Sequence, residues 1–161
     1  MAAEDAQQLT DSGLVLRPFQ PRDQEQVQAL ILAGLAEHWG QLDPALNPDL
    51  QAIGQSHAQD YFLVADYQGR IVGTGALVRQ TGDQAEIVRM TVAADLRRQG
   101  LGRRILEALC HEARRRGVRR LLLETTADWQ EAISFYSRFG FQLTHYRDGD
   151  FGPEVHFMLL L

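Results

Sequence analysis

One segment of the chain predicts a strand, a glycine-containing turn and a helix in direct succession. The apolar run 87–92 is followed by a basic turn at 97–103 and then by the helical run 101–113. A second run, 121–123, is short and apolar on both faces, which indicates a buried strand parallel to the first. Parallel strands need a crossover connection, usually a helix. Together with the antiparallel meander that glycine-bearing turns predict over residues 61–92, the segment predicts an α/β fold of the α+β type.

The turn at 97–103 is typical of a phosphate site. It consists of Arg97, Arg98, Gln99, Gly100, Leu101, Gly102 and Arg103. Glycine lets the backbone approach a ligand closely, a helix N-terminus offers N–H donors, and guanidinium groups add charge. The turn lacks the Lys-Ser/Thr of a P-loop, and Ile105 stands where a dinucleotide fingerprint needs its third glycine. The alternative interpretation is a solvated basic helix start.

Charge argues for a small anionic ligand rather than a polymer. The 161-residue chain has a net charge of −5, yet nine of its sixteen basic residues, all arginines, lie between residues 97 and 120. A protein that coats nucleic acid favours a basic surface, so a nucleic-acid partner is not expected. Cys110 is the sole cysteine, which excludes an internal disulfide. With no apolar run of membrane-spanning length, we expect no membrane partner and a cytoplasmic location.

Hydrophobic periodicity predicts the element order β-α-α-β-β-β-α-β-α-β-β. Strands are expected at 14–18, 61–65, 70–79, 85–92, 119–125, 141–146 and 155–161. Helices are expected at 23–38, 44–55, 101–113 and 128–139. The length fits a single domain over residues 13–161, preceded by a flexible N-terminus at 1–12. A polar loop is expected between the last two strands.

Two motifs carry a resemblance to a known family. Arg97, Gly100 and Gly102 match the pattern Arg/Gln-x-x-Gly-x-Gly/Ala, and Ala132, Tyr136, Gly140 and Phe141 match Ala-x-x-x-Tyr-x-x-x-Gly-Phe. The chain thus resembles the GNAT superfamily of N-acetyltransferases over residues 14–161. The resemblance implies the GNAT fold, a mixed, mostly antiparallel, twisted sheet of about seven strands with helices on both faces. It also implies that the turn binds the pyrophosphate of acetyl-CoA, used as co-substrate.

The resemblance also implies roles for residues outside the turn. Met90, Thr91 and Val92 match the segment whose backbone binds the pantetheine arm, on a strand that the family separates from its neighbour by a bulge. Trp129 stands near the cofactor where many members have asparagine. Glu86 is implied as general base and Tyr136 as proton donor to the leaving thiolate. The alternatives are that Glu86 pairs with Arg89 or another cation, and that Tyr136 is a core aromatic.

The predicted function is transfer of an acetyl group from acetyl-CoA to a primary amine, by direct attack in a ternary complex. The alternative is a non-catalytic acyl-CoA-binding sensor or regulatory module. The acceptor, a small molecule or a peptide amine, stays open: Asp43, Asp49, Asp148 and Asp150 suit either a cationic ligand or caps and turns. We expect no metal, because His145 and His156 lack ligand spacing. A monomer or a homodimer is expected, since strand 155–161 could pair across a dimer.

Overall fold

Seven strands and four helices follow one another in the predicted order. The computed structural model describes residues 13–161, so the predicted flexible segment 1–12 lies outside the described residues. The strands are β1 (Leu14–Pro18), β2 (Tyr61–Tyr67), β3 (Arg70–Arg79), β4 (Gln84–Val92), β5 (Arg120–Thr126), β6 (Gln142–Gly149) and β7 (Gly152–Leu160). The helices are α1 (Gln24–Trp39), α2 (Ile53–Ser56), α3 (Leu101–Arg115) and α4 (Gln130–Phe139). Within the described part of the chain, no helix is long and apolar enough to cross a membrane.

The strands form a seven-stranded mixed sheet in the order β1-β2-β3-β4-β5-β7-β6. β4 and β5 are parallel and are joined through α3, as predicted. β1 is antiparallel to β2, and β7 is antiparallel to both β5 and β6. The predicted fold class is therefore confirmed. The last strand in the chain, β7, is inserted between β5 and β6.

The chain divides into two compact units. The first contains residues 13–76 and 89–108, and the second contains residues 77–88 and 109–161. β3, β4 and α3 contribute residues to both units. The single domain expected over 13–161 stays a prediction.

The first unit has an aliphatic core built from the apolar stripes of its helices and the buried strand β2. Its fully buried side chains include Val27, Leu50, Ile53, Leu63, Val64, Leu101, Ile105 and Leu106. Gly73 of β3 is packed tightly, because a β-carbon there would lie 2.6 Å from Ile105 Cδ1. Glycine at this position thus permits close approach of strand and helix.

The second unit buries one face of its strands against aromatic side chains. Leu121 and Val155 are at most 1% exposed, as is Phe157. The Tyr136 ring packs edge-on against Phe141, with centroids 5.9 Å apart, and tilted against Phe157, at 6.3 Å. Alternation along β5 and β7 therefore leaves Glu124, Glu154 and His156 on the opposite face.

Two predicted boundaries are wrong. The helix expected at 44–55 is instead two 3-10 turns, Pro44–Leu46 and Pro48–Gln51, followed by the four-residue α2. A proline at the first position of each turn removes a backbone donor and interrupts any longer helix. The polar loop expected before the last strand is also shorter than predicted, because β6 extends to Gly149 and β7 begins at Gly152.

Candidate active site

The predicted phosphate turn is a compact reversal of the backbone that leads directly into α3. A 3-10 turn, Ala94–Leu96, precedes it. Arg98 and Gly100 both have left-handed backbone conformations, with φ of 63° and 83°. Apart from its chain neighbours Gln99 and Leu101, no atom of residues 13–161 lies within 4 Å of the place where a β-carbon on Gly100 would stand. The start of α3 is therefore open on that side, as a helix N-terminus that binds a phosphate group must be.

Arg97 links this turn to the end of β4. Its Nε donates to the Val92 carbonyl at 3.2 Å, and its Nη1 forms an ion pair with Glu37. Arg103 pairs with Glu107 at 3.0 Å, and both of those side chains are more than half exposed. Exposed pairs of this kind contribute little free energy, so either guanidinium can exchange its carboxylate for a phosphate oxygen.

The segment Met90–Val92 is half-buried and follows a break in the extended backbone of β4. The break is at Arg89, whose φ is 55°. The Arg89 carbonyl accepts a hydrogen bond from the side-chain hydroxyl of Thr74, on the neighbouring strand β3, at 2.7 Å. A left-handed residue inside a strand locally kinks it. The break falls in the strand for which the resemblance implies a bulge, a feature that the sequence does not display.

Asp49 holds the side chain of Arg89. Its carboxylate accepts from Arg89 Nε at 3.0 Å and from Nη2 at 2.5 Å. Asn47 Oδ1 accepts from Nη1 at 3.2 Å. The guanidinium is thus bound to Asp49 and Asn47, instead of Glu86, the partner considered from the sequence. Sequence reasoning missed this role of Asp49, because nothing local marks a pair 40 residues apart.

The surroundings of Glu86 make its carboxyl group a weaker acid than usual. It is half-buried, and its carboxylate accepts a long hydrogen bond of 3.4 Å from Gln80 Nε2. Burial raises the pKa of Glu86, and the negative charges of Glu124 and Glu154 raise it further against the opposing effect of His156. A carboxylate whose pKa lies above its usual range is a stronger base, which suits proton abstraction near neutral pH.

The register of β5 and β7 brings three potential metal ligands together. Glu124 is paired with His156, and Glu154 lies two residues before His156. The ligand atoms of the three side chains lie within 4.8 Å of one another, and the His145 ring stacks on His156 at 4.4 Å. Sequence spacing did not reveal this cluster. The absence of a metal stays a prediction.

Tyr136 lies on α4, where its half-buried ring packs against Phe141 and Phe157. Burial raises the pKa of its hydroxyl, so the proton stays bound at neutral pH and is available for donation. The carbonyl of the same residue accepts from the Phe141 N–H at 3.0 Å, at the point where Gly140 ends the helix. The packing of the Tyr136 ring does not prevent a role as proton donor, because only the hydroxyl is needed for proton transfer.

Trp129 is the N-cap residue of α4 and makes no side-chain cap hydrogen bond. Its backbone N–H donates to the Thr126 carbonyl at 3.0 Å, and its side chain is half-buried.

The predicted site residues are divided between the two compact units. The segment Met90–Val92 and the turn at 97–103 both belong to the first unit. Glu86, Trp129 and Tyr136 belong to the second unit.

Comparison with known proteins identifies the class. The model of the Acetyltransferase (GNAT) family matches residues 25–141, which is well over half of the chain. The chain therefore belongs to the GNAT acetyltransferase family.

Two relatives extend this result. The N-acetyltransferase YjgM of Escherichia coli is 32% identical over 108 residues, which cover 64% of this chain and 65% of that protein. The IAA acetyltransferase of Azospirillum brasilense is 36% identical over 127 residues, covering 76% of this chain and 79% of that protein. The match thus spans just under two thirds of the first relative's length.

Solved structures show the same fold at low sequence identity. A GNAT-family acetyltransferase from Staphylococcus aureus Mu50 superposes with a TM-score of 0.82 at 19% identity, covering 92% of this chain and 99% of that one. The PaiA N-acetyltransferase of Thermoplasma acidophilum, solved in complex with coenzyme A, gives a TM-score of 0.77 at 15% identity, with 92% and 99% covered.

Proposed function

We propose that this protein transfers an acetyl group from acetyl-CoA to a primary amine by direct attack in a ternary complex. The observation that carries the proposal is the open turn at Gly100, with its left-handed backbone at the start of α3. Such a turn suits a pyrophosphate group because backbone N–H groups and the positive helix end act together. Membership of the GNAT acetyltransferase family and the coenzyme A complex of a neighbour of the same fold support this donor.

The first unit supplies the groups proposed to bind the donor. Residues 97–103 bind the pyrophosphate, with Arg98 and Arg103 adding charge-assisted hydrogen bonds. The backbone of Met90–Val92 hydrogen-bonds the pantetheine amides in the manner of an added strand. The Arg97 contact to the Val92 carbonyl supports a common donor site for these two segments. From the second unit, Trp129 is proposed to take the place of the family asparagine near the cofactor.

Glu86 and Tyr136 are proposed to move the protons. An alkyl amine is almost wholly protonated at neutral pH, so it must lose a proton before its nitrogen can attack the thioester carbon. Glu86 accepts that proton, directly or through water, and the new C–N bond forms as the C–S bond breaks. Tyr136 donates its hydroxyl proton to the departing sulfur. The nitrogen, which is positively charged after attack, loses its second proton and so restores the hydroxyl of Tyr136, while Glu86 releases the first proton to solvent.

The surroundings of Glu86 favour a positively charged acceptor. Glu124 and Glu154 lower the cost of bringing an ammonium group to this place, because their charges attract it. Asp49 already binds Arg89, and Asp43 accepts from the Ala45 N–H at 3.0 Å as a cap. Asp43 thus acts as a turn cap, and Asp49 as the ion-pair partner of Arg89. A small molecule and a peptide amine are both compatible. The monomer or homodimer and the cytoplasmic location stay predictions.

A thiol-release assay tests the function. The purified protein is incubated with acetyl-CoA and a panel of polyamines, amino acids and peptides bearing free lysine or N-terminal amines. The sole cysteine, Cys110, is 3% exposed, which limits background from the protein itself. We expect amine-dependent CoA release that falls about 100-fold in Tyr136→Phe, with little change in acetyl-CoA binding.

Two results would contradict the proposal in different ways. Acetyl-CoA binding without turnover of any amine would favour the non-catalytic sensor. Absence of acetyl-CoA binding would show that the turn at 97–103 has another ligand.

A further inference from the structure

Arg89 has a left-handed backbone conformation that an arginine residue does not favour by itself. Over residues 13–161, three non-glycine residues have positive φ: Gln68, Arg89 and Arg98. Gln68 and Arg98 lie in turns, whereas Arg89 lies within β4. A residue with a β-carbon avoids the left-handed region, so surrounding contacts must hold this conformation.

Those contacts reach Arg89 from two sides. The buried Thr74 hydroxyl fixes the Arg89 carbonyl at 2.7 Å. Two hydrogen bonds to Asp49 and one of 3.2 Å to Asn47 fix the guanidinium, and the Arg89 side chain is 18% exposed. Both ends of the residue are therefore restrained, and the side-chain end depends on a segment far away in sequence.

Asp49 is itself held by a chain of polar contacts. His57 Nε2 lies 3.0 Å from Asp49 Oδ2, and His57 Nδ1 lies 2.9 Å from Asp60 Oδ2. The imidazole also packs edge-on against Phe62, with ring centroids 5.1 Å apart. Because the packed imidazole of His57 contacts it, the Asp49 carboxylate has little freedom to rotate away from Arg89.

The neighbouring residues are those proposed to bind the donor. Met90, Thr91 and Val92 follow Arg89 directly, and the direction of each peptide group depends on the φ of the residue before it. If Arg89 returned to extended backbone, the donors and acceptors of this segment would turn with it, as happens when a strand changes register.

We propose that Asp49 is a positioning residue for acetyl-CoA: by holding the Arg89 guanidinium, it fixes the kink in β4 that presents the backbone of Met90–Val92 to the pantetheine arm. The proposal rests on the proposed function, since it assumes that this segment binds the donor. In this proposal Asp49 does not itself contact the donor or the reacting atoms. It acts through Arg89.

The experiment measures acetyl-CoA binding by calorimetry in a double-mutant cycle. Asp49→Asn keeps the side-chain shape and removes the charge, and we expect an affinity loss of about tenfold. In an Arg89→Gly background the same change should alter the affinity less than about twofold, because glycine adopts positive φ without any anchor. A contact that only stabilised the fold would not give this pattern of rescue.

Asp23→Asn is the matched control. Asp23 forms a similar two-pronged pair with Arg17, at 2.7 and 2.8 Å, that does not involve β4. This variant should lose stability and keep its affinity for acetyl-CoA. If Asp49→Asn does not fold, the Arg89→Gly protein still decides the matter, because it must bind acetyl-CoA nearly as the wild type does.

The possible failures are distinct. Wild-type protein that does not bind acetyl-CoA overturns the proposed function and this inference with it. Wild-type protein that binds, with equal affinity in Asp49→Asn, overturns the positioning role alone. Equal losses from Asp49→Asn with Arg89 and with Arg89→Gly would also overturn it, because Asp49 would then act by another route.

Discussion

Helix α1 and strand β4 meet at Gly34 and Thr91: a β-carbon on Gly34 would lie 2.8 Å from the Thr91 hydroxyl oxygen. This approach is closer than a side chain tolerates, so any residue larger than glycine at position 34 must displace the Thr91 hydroxyl. Thr91 is in the segment proposed to bind the pantetheine arm. A substitution in α1 thus perturbs that segment without changing its sequence.

Gly34→Ala should weaken acetyl-CoA binding about tenfold, because Thr91 must move. Alanine favours the helix by about 1 kcal/mol, so stability should change little while affinity falls. Titration calorimetry and thermal unfolding give the two quantities. Gly54→Ala in α2 is the control, since its β-carbon would make an ordinary 3.5 Å contact with Phe19. Unchanged affinity in Gly34→Ala would argue against a donor site at Thr91.

Gly100→Ala should lose acetyl-CoA affinity by about tenfold or more, because a methyl group enters the open side of the turn and blocks a phosphate oxygen. Gly117→Ala is closely matched: it too has positive φ, 77°, with open space around it, and it lies at the other end of α3. Both changes should cost about 1 kcal/mol of stability through backbone strain. If both variants bind acetyl-CoA equally well, the turn at Gly100 is not the phosphate site.

Glu86→Gln should lower kcat about 100-fold and abolish the acidic limb of the pH–rate profile, which reflects ionisation of the base. The folded pKa of Glu86 lies above its unfolded value of 4.5, so the folded protein binds the extra proton between the two. The free energy of unfolding therefore falls as pH rises through that window, and the glutamine variant escapes this loss. At pH 7 it should be at least as stable as the wild type.

The exposed Glu25→Gln is the control for Glu86, and its pH–rate profile should match that of the wild type. An acidic limb that persists in Glu86→Gln would assign the base to another group.

Gly73→Ala should destabilise the protein by about 1–3 kcal/mol, because its β-carbon would lie 2.6 Å from the fully buried Ile105. Urea unfolding measures the loss. Ile105→Val removes the Cδ1 atom that the new methyl group meets, at a cost of about 1 kcal/mol when made alone. The double variant should be more stable than the sum of the single changes predicts. If the two changes in the free energy of unfolding simply add, then helix α3 shifts to accommodate the new methyl group and the Ile105 side chain does not.

Sequence periodicity predicted the elements whose patterns are local. The apolar stripe and the glycine stop predicted α3 from Leu101, and the apolar run at 121–123 predicted a strand parallel to β4. The segment 44–55 is not the single helix expected, because two prolines divide it into shorter turns. The fixed backbone geometry of proline and its missing N–H prevent one continuous helix there.

The residues of the candidate site also form two groups, one that local sequence patterns predict and one that depends on contacts between distant parts of the chain. Gly100 and Tyr136 belong to contiguous motifs, and a reader of the sequence can find them. The kink at Arg89 could not be predicted, because arginine has no preference for positive φ and its anchor Asp49 lies 40 residues away. The cluster of Glu124, Glu154 and His156 depends on the register of β5 against β7, which no local pattern specifies.

The insertion of β7 between β5 and β6 has a consequence for synthesis of the chain. As the ribosome releases β5, α4 and β6 in turn, β5 can pair with β4 on one edge only, because its other edge and β6 both pair with residues 152–160. The aromatic side chains of α4 must therefore wait, partly exposed, until β7 emerges and closes the sheet. The nascent polypeptide is most vulnerable to aggregation during that interval, and a chaperone that shields apolar surface would help most there.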